Sequence, residues 1–288
     1  EVTVNQRNRD IFVRVGQIEA RFNNNNGLYS YGLDGKNVLW GTPEPNFWRA
    51  PIDNDFGANL HNTMNVWRAA HKNRRLISFD LKESDEGAIL TYQFRLVDIA
   101  ADLTITYQID SKGEIYVTQS YKTENKDITE MMRYGMSMRV ADRYDNYTYY
   151  GRGPVENYVD RCYGSDIGVY ESKVADQYTP YVRPQENGNK TDVRYLTLTD
   201  ESGYGLRIEG KEALGATVSH VPTEDLDPGL SKKYRHQNDI HHQSQIFLNI
   251  DMFQRGIGGT NSWGALPLRQ YRYDNKDYSF TYKMSLVQ

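Results

Sequence analysis

Residues 252–267 follow an apolar run, Ile246–Ile250, and carry glycines at 256, 258, 259 and 264. Glycine turns where other residues cannot and lets backbone pass close to other atoms, so the segment reads as a sharply turning loop. In its middle stands Trp263, a large flat aromatic between Ser262 and Gly264. Two uses fit a loop tryptophan: folding back to cap a core, or offering its face to a ligand. Both stay open at this level.

A second stretch with potential chemistry runs from Pro43 to Gly57 and contains Asp53, Asn54 and Asp55. Three oxygen-bearing side chains in a row look like the start of a calcium loop, but the glycine and distal Glu of that motif are not at the required spacing. An Asx turn accounts for the run better. The candidate partners of Arg49 are one of these Asp or a carboxylate elsewhere, and Phe47 and Trp48, set between Pro45 and Pro51, form a stiff aromatic corner. Glycoside hydrolysis would require two carboxylates roughly 5 to 9.5 Å apart with pKa values pushed in opposite directions. Asp53 and Asp55 are expected to be solvated side by side, and no other acidic pair sits among aromatics, so no catalytic pair is assigned to this chain.

The histidines make no metal pattern: His241 and His242 are adjacent and would point to opposite faces of a strand, and His220 and His236 stand alone. No Gly-x-Ser-x-Gly elbow or P-loop occurs, and Gly256-Ile257-Gly258-Gly259 falls short of a dinucleotide fingerprint. Cys162 is the only cysteine, which excludes a disulfide within the chain. Arg161 beside it is what an activated thiol would need, but the flanking aromatics mark a strand or strand end. Residues 149–161 and 178–194 mix aromatics, prolines, amides and paired charges. That composition suits a polar ridge braced by Arg–carboxylate and Asn–backbone bonds better than direct ligand contact by Arg183, Glu186 or Asn187.

These segments need a frame, and the rest of the chain supplies one of strands. Leu90, Tyr92, Phe94 and Leu96 alternate with mostly polar residues, as do Leu103, Ile105, Tyr107 and Ile109, and Phe280, Tyr282, Met284 and Leu286. Period two is the signature of half-buried antiparallel strands. Turn signals at Asn23–Gly27, Asp34-Gly35, Asp85–Gly87, Ser111–Gly113 and Asp200–Gly203 fall at hairpin spacing. The one helix expected is short, Asn65–Asn73, and Pro222–Gly229 reads as a loop. With no internal repeat and no linker, the expectation is one all-β domain over 1–288, two antiparallel sheets with long loops near 43–65, 176–193 and 252–267.

Charge is nearly balanced, 34 Lys and Arg against 38 Asp and Glu, and scattered along the chain. That excludes a nucleic-acid footprint and an anionic membrane surface as partners. The 23 tyrosines supply amphipathic bulk for a β core and for sugar-like surfaces. No run approaches a transmembrane helix, and the opening Glu1-Val2-Thr3-Val4 has neither a basic nor an apolar signal region. Without an initiator Met, the chain is expected to be a processed protein or a segment of a longer one, and its compartment is not specified.

Four stretches in order carry a resemblance: Phe47–Asp55, Gly151–Arg161, Tyr178–Gly188, and Leu248–Asp251 followed by Gly256–Trp263. Over nearly the whole chain these resemble the C-terminal domain of family 2 bacterial β-galactosidases. The resemblance implies a large antiparallel supersandwich with a galactose-mutarotase-like fold and few short helices, following a catalytic barrel that holds the acid/base and nucleophile glutamates. It implies that Trp263 is a platform for the sugar, with Asn261, Gly57 and Asp53 as substrate-binding neighbours. Thr260-Asn261 stands where some members have two Asp, and Gly264 where they have Ser followed by Pro. The family's Mg and Na belong to the barrel, so no cofactor is expected here, and a homo-oligomer is implied for the parent. Partners are then a galactoside and the barrel itself. A free-standing mutarotase-like epimerase and an independent carbohydrate-binding module remain as alternatives; the first would need a His and a carboxylate facing each other in a sugar pocket.

Overall fold

Period-two runs become strands, and each turn signal closes a hairpin. The computed structural model describes residues 1–231, 233 and 235–288. A five-stranded antiparallel sheet takes β1 (Val2–Arg7), β2 (Asp10–Val15), β3 (Ile18–Asn23), β4 (Gly27–Leu33) and β5 (Lys36–Asn37) in sequence order. The second sheet has twelve strands: β6 (Glu44–Asn46), β7 (Arg74–Ser84), β8 (Gly87–Leu96), β9 (Ala101–Asp110), β10 (Ile115–Thr123), β11 (Arg133–Ala141), β12 (Asn146–Gly153), β13 (Asp166–Lys173), β14 (Lys190–Thr199), β15 (Gly205–Ser219), β16 (Gln245–Gln254) and β17 (Tyr278–Val287). All five turn signals lie between paired strands, β3/β4, β4/β5, β7/β8, β9/β10 and β14/β15.

The large sheet runs β13-β12-β14-β15-β17-β10-β9-β8-β7. It branches at β15, whose first half pairs with β17 and whose second half pairs with β16. On the far side of β16 lie β11 and then β6. This branch matters because β6, β11 and β16 carry the segments that hold the candidate site.

The core is what alternation requires. Leu90, Tyr92, Leu96, Leu103 and Tyr282 are buried, and one hydrophobic cluster runs from Ile11, Phe22 and Leu28 of the small sheet into the large one. Phe47 is fully buried and stacks on Tyr134 at 5.9 Å, with Trp67 at the same separation, which makes the expected aromatic corner a core element. Two calls need correction. The expected helix over 65–73 is a single 3-10 turn, Asn65–Trp67, followed by turns, because burying Trp67 against Thr129 and Glu130 fixes the segment more strongly than helical propensity does. The helical residues lie just before it instead, in α1 (Asp53–Gly57) and α2 (Leu60–Thr63). Pro222–Gly229 is also not wholly loop, since Thr223–Leu226 forms a helical turn, α3.

A braced rim beside an exposed tryptophan

Arg49 is the residue on which the rim is built. Its guanidinium is fully buried and pairs in two places with Asp55, Nη2 to Oδ1 at 2.8 Å and Nε to Oδ2 at 3.1 Å. Nη2 also donates to the Gly256 carbonyl at 3.1 Å, and Nη1 to the Arg255 carbonyl at 2.5 Å. Asp55 is therefore not the solvated group expected from the turn sequence. A carboxylate beside a cation on the same loop gains more from a buried bidentate pair than from water, provided the remaining donors are satisfied. The Asp55 Oδ2 also accepts from the Ile52 amide at 3.1 Å, which holds the first turn of α1.

A second buried cation extends the network. Arg133, at the start of β11, has no exposed side-chain surface and pairs with Glu186 at 2.9 Å and Asp251 at 3.2 Å. It also donates to the Trp48 carbonyl at 3.1 Å, while Glu186 accepts from the Ala50 amide at 3.1 Å. Burial works against the Arg133 charge, but the carboxylates of Asp251 and Glu186 hold its pKa above the usual value. For Asp251 burial wins over Arg133 and pushes the pKa up to about 7. One cation faces two carboxylates, and protonating Asp251 balances the count.

That balance makes a pH-dependent prediction. The folded chain holds a proton on Asp251 between about pH 4 and 7 that the unfolded chain releases near its ordinary carboxylate value. This contribution to stability is therefore greatest below about pH 4, falls as pH rises to about 7, and is flat above that. Asp251→Asn keeps the shape without the charge, so its stability relative to the parent should climb between pH 5 and pH 7.5 in paired urea titrations. A difference that does not change with pH would remove the assignment.

The expected ridge at 149–161 and 178–194 is a brace. Asn157 donates to the Arg152 and Val155 carbonyls and accepts from the Thr191 amide, while Asn187 accepts from the Thr179 amide at 3.0 Å. Glu156 accepts from the Gly188 amide at 2.7 Å and pairs with Arg161 at 2.9 Å. Glu186 and Asn187 are buried and bonded inward, and Arg183 is paired with Asp53. Burial raises the Cys162 thiol pKa, the opposite of activation.

Residues 255–268 lie over this brace. Asp160 accepts from the amides of Ile257 at 3.1 Å and Gly258 at 2.8 Å, and Asn54 donates to the Ile257 carbonyl at 2.8 Å. Gly256 is where the loop passes Asp160, and a Cβ there would lie 2.5 Å from the carboxylate. Gly57 meets the loop from below, and its own Cβ would fall 2.1 Å from the Ser262 carbonyl oxygen. Trp263 is 88% exposed, so the capping reading fails. Asn261 uses its side-chain oxygen to accept from the Trp263 amide at 2.9 Å, which sets the turn under the ring.

The four sequence-level site residues thus fall on two touching segments. Gly57 contacts the Trp263 loop directly. Asp53 accepts from Arg183 and Gln185 while its side chain stays more than half exposed. A cleft of about 210 Å³ opens between them, bordered by Asp53, Asn54, Tyr158, Arg161, Tyr181 and Ser262. Trp263 does not line it. Arg133, Asp160 and Asp251 were not singled out in the sequence, although Asp160 and Asp251 sit within stretches that carry the resemblance; Arg49 was, with one of the neighbouring Asp among its candidate partners. Among the described residues no group of three or more His, Cys, Asp or Glu is placed to hold a metal ion.

The sequence model of the β-galactosidase small chain matches residues 14–284. The chain belongs to the β-galactosidase small-chain family. A β-galactosidase of Priestia megaterium is 31% identical over 98% of this chain and 27% of its own length, and one of Lactobacillus delbrueckii subsp. bulgaricus is 31% identical over 80% and 22%. The small chain therefore spans about a quarter of the curated relatives it matches. A galactose 1-epimerase of Lactobacillus acidophilus superposes with a TM-score of 0.51 at 9% identity, covering 99% of this chain and 98% of that one. The small chain accordingly has the all-β, galactose-mutarotase-like fold.

Proposed function

We propose that this chain is the non-catalytic part of a retaining β-galactosidase, which removes terminal non-reducing β-D-galactose, and that its 255–268 loop lends Trp263 to the rim of an active site built elsewhere in the longer protein. The observation that carries this is a fully presented tryptophan on a loop pinned from beneath by Arg49, Asn54, Gly57 and Asp160. An indole held this way has lost its freedom before the ligand arrives, so less of its contact energy is consumed in ordering. Asp55 is buried against Arg49, Asp53 is paired with Arg183, and Asp160 accepts the Ile257 and Gly258 amides, which supports no opposed acid and nucleophile pair of the kind glycoside hydrolysis needs. Hydrolysis then belongs to the remainder of the parent, and the 288-residue chain alone is expected to be inactive. Magnesium, sodium and assembly into an oligomer belong to the parent on the same reading.

A Trp face covering one side of a pyranose buries on the order of 100 Å², or about 2–3 kcal/mol at roughly 25 cal/mol per Å² before ordering costs. In the full-length galactosidase, Trp263→Ala should therefore lower kcat/KM for lactose by up to roughly 30- to 150-fold. Unchanged kcat/KM for lactose together with unchanged inhibition by a transition-state mimic would remove the platform role.

A further inference from the structure

A second, larger cleft lies away from the rim cleft. It measures about 650 Å³ and shares no lining residue with the cleft at the rim. Its floor is the outward face of three adjacent strands, β6, β11 and β16, registered so that Ser137 lies opposite both Glu44 and Asn249, and Arg139 opposite Phe247. It is bordered by Trp48, Arg68 and His71 and by α3 and Asp227. A sheet face deep in a twelve-stranded assembly is normally apolar where it is covered. Here it is polar and only partly covered, with Asn249 almost buried and Asn46 donating to its side-chain oxygen at 3.1 Å.

The charges of the cleft largely cancel. Arg68 lies over the Trp48 ring at 4.6 Å and pairs with Asp227, which also accepts from the Trp48 indole at 2.9 Å. Glu44 pairs with His71 at 3.2 Å and Arg74 at 3.5 Å, and the His71 bond with the nearby Arg74, working against burial, holds its pKa down at about 2. His71 and Glu44 are bonded to each other, with no room for a sugar between them, so this pair is not set to act as opposed acid and base across a ring. What the floor leaves on offer is a hydroxyl, an amide and the Arg139 guanidinium, which has no carboxylate partner among the described residues, beside the apolar face of Phe247. Donors and acceptors over a small apolar area, with little net charge, suit a neutral polyhydroxylated ring.

We propose that the cleft over β6, β11 and β16 is a saccharide-binding site, distinct from the Trp263 rim, that takes a neutral mono- or disaccharide on Ser137, Arg139 and Asn249. The site binds without turning over its ligand. It does not depend on the rim reading.

The test is calorimetric titration of the 288-residue chain with galactose and lactose, with inorganic phosphate as the anionic comparison. Saturable binding of a sugar is expected, weakened about tenfold or more by Ser137→Phe, which fills the floor, and by Arg139→Ala, and left alone by Trp263→Ala. Because Ser137→Phe places bulk on a central strand, amide chemical shifts of the unsubstituted chain provide a second reading that needs no variant. Sugar should move residues 44–46, 137–139 and 247–249 and spare 257–264. Absence of saturation with either sugar, binding lost in Trp263→Ala, shifts confined to 257–264, or saturable phosphate binding that competes with sugar would each overturn the proposal. Failure of the rim reading would instead show in the kinetics of the full-length enzyme.

Discussion

Arg133→Met is expected to cost roughly 3–5 kcal/mol of unfolding free energy, because it leaves Asp251 buried without a cation and deprives Glu186 of its charged partner. Against a typical total of about 5–15 kcal/mol, that is a large share. Methionine keeps most of the volume, so the loss reports the charge and the bond to the Trp48 carbonyl more than a cavity. Urea unfolding of the parent, Arg133→Met, Asp251→Asn and the double variant gives the coupling. At pH 8, where Asp251 of the parent is ionised beside Arg133, neutralising Asp251 should return part of the loss, since the cost of protonating a carboxylate that has lost its cation is then gone. A loss below about 1 kcal/mol for Arg133→Met, or strict additivity in the double variant, would show that Arg133 and Asp251 do not act as a pair.

Gly57→Val is the second large effect, and it acts at a distance from any sugar. A Cβ at Gly57 comes within 2.1 Å of the Ser262 carbonyl, and that oxygen is backbone, so the loop itself must move. If Trp263 is positioned by Gly57, then in the full-length protein, assayed as the galactosidase proposed above, Gly57→Val should reproduce most of the Trp263→Ala loss, again up to about 2–3 kcal/mol in kcat/KM. The double variant should be little worse than either single one, since the ring can be lost only once. Global stability should fall less than activity does, because Gly57 and Ser262 meet at the surface. Additive kinetic losses would mean that Gly57 acts on something other than the loop.

The frame was readable because it depends on local rules. Leu90, Tyr92, Phe94 and Leu96 alternate because a strand puts one face inward, and Asp34-Gly35 turns because of its own backbone preferences. Those signals need no knowledge of distant residues, and the strands and hairpins fell where they placed them. The helix over 65–73 failed for the opposite reason: Trp67 is fixed by Thr129 and Glu130, some sixty residues further on, and nothing local announces that. The same division runs through the site. Trp263 stood out because an aromatic among glycines is locally odd. Arg133 and Asp251 did not, because a charged residue in a strand sequence looks the same whether it faces water or a buried partner. Asp55 was misjudged on that ground: its turn sequence suggests solvent, while its burial is set by Arg49 and by backbone carbonyls two hundred residues away.

That separation bears on the order in which the molecule forms. Arg49 closes onto Gln254, Arg255 and Gly256 across 205 to 207 residues of intervening chain, nearly all of which must be in place before the guanidinium has its acceptors. Contacts between ends so far apart gain nothing until the hairpins between them have shortened the path. The local pairs, β7 with β8 and β9 with β10, have no such requirement and can form from the start. The rim is therefore among the last parts of the small chain to be assembled, and a chain whose synthesis or refolding stops before β16 would display folded hairpins while Arg49 still lay open to water.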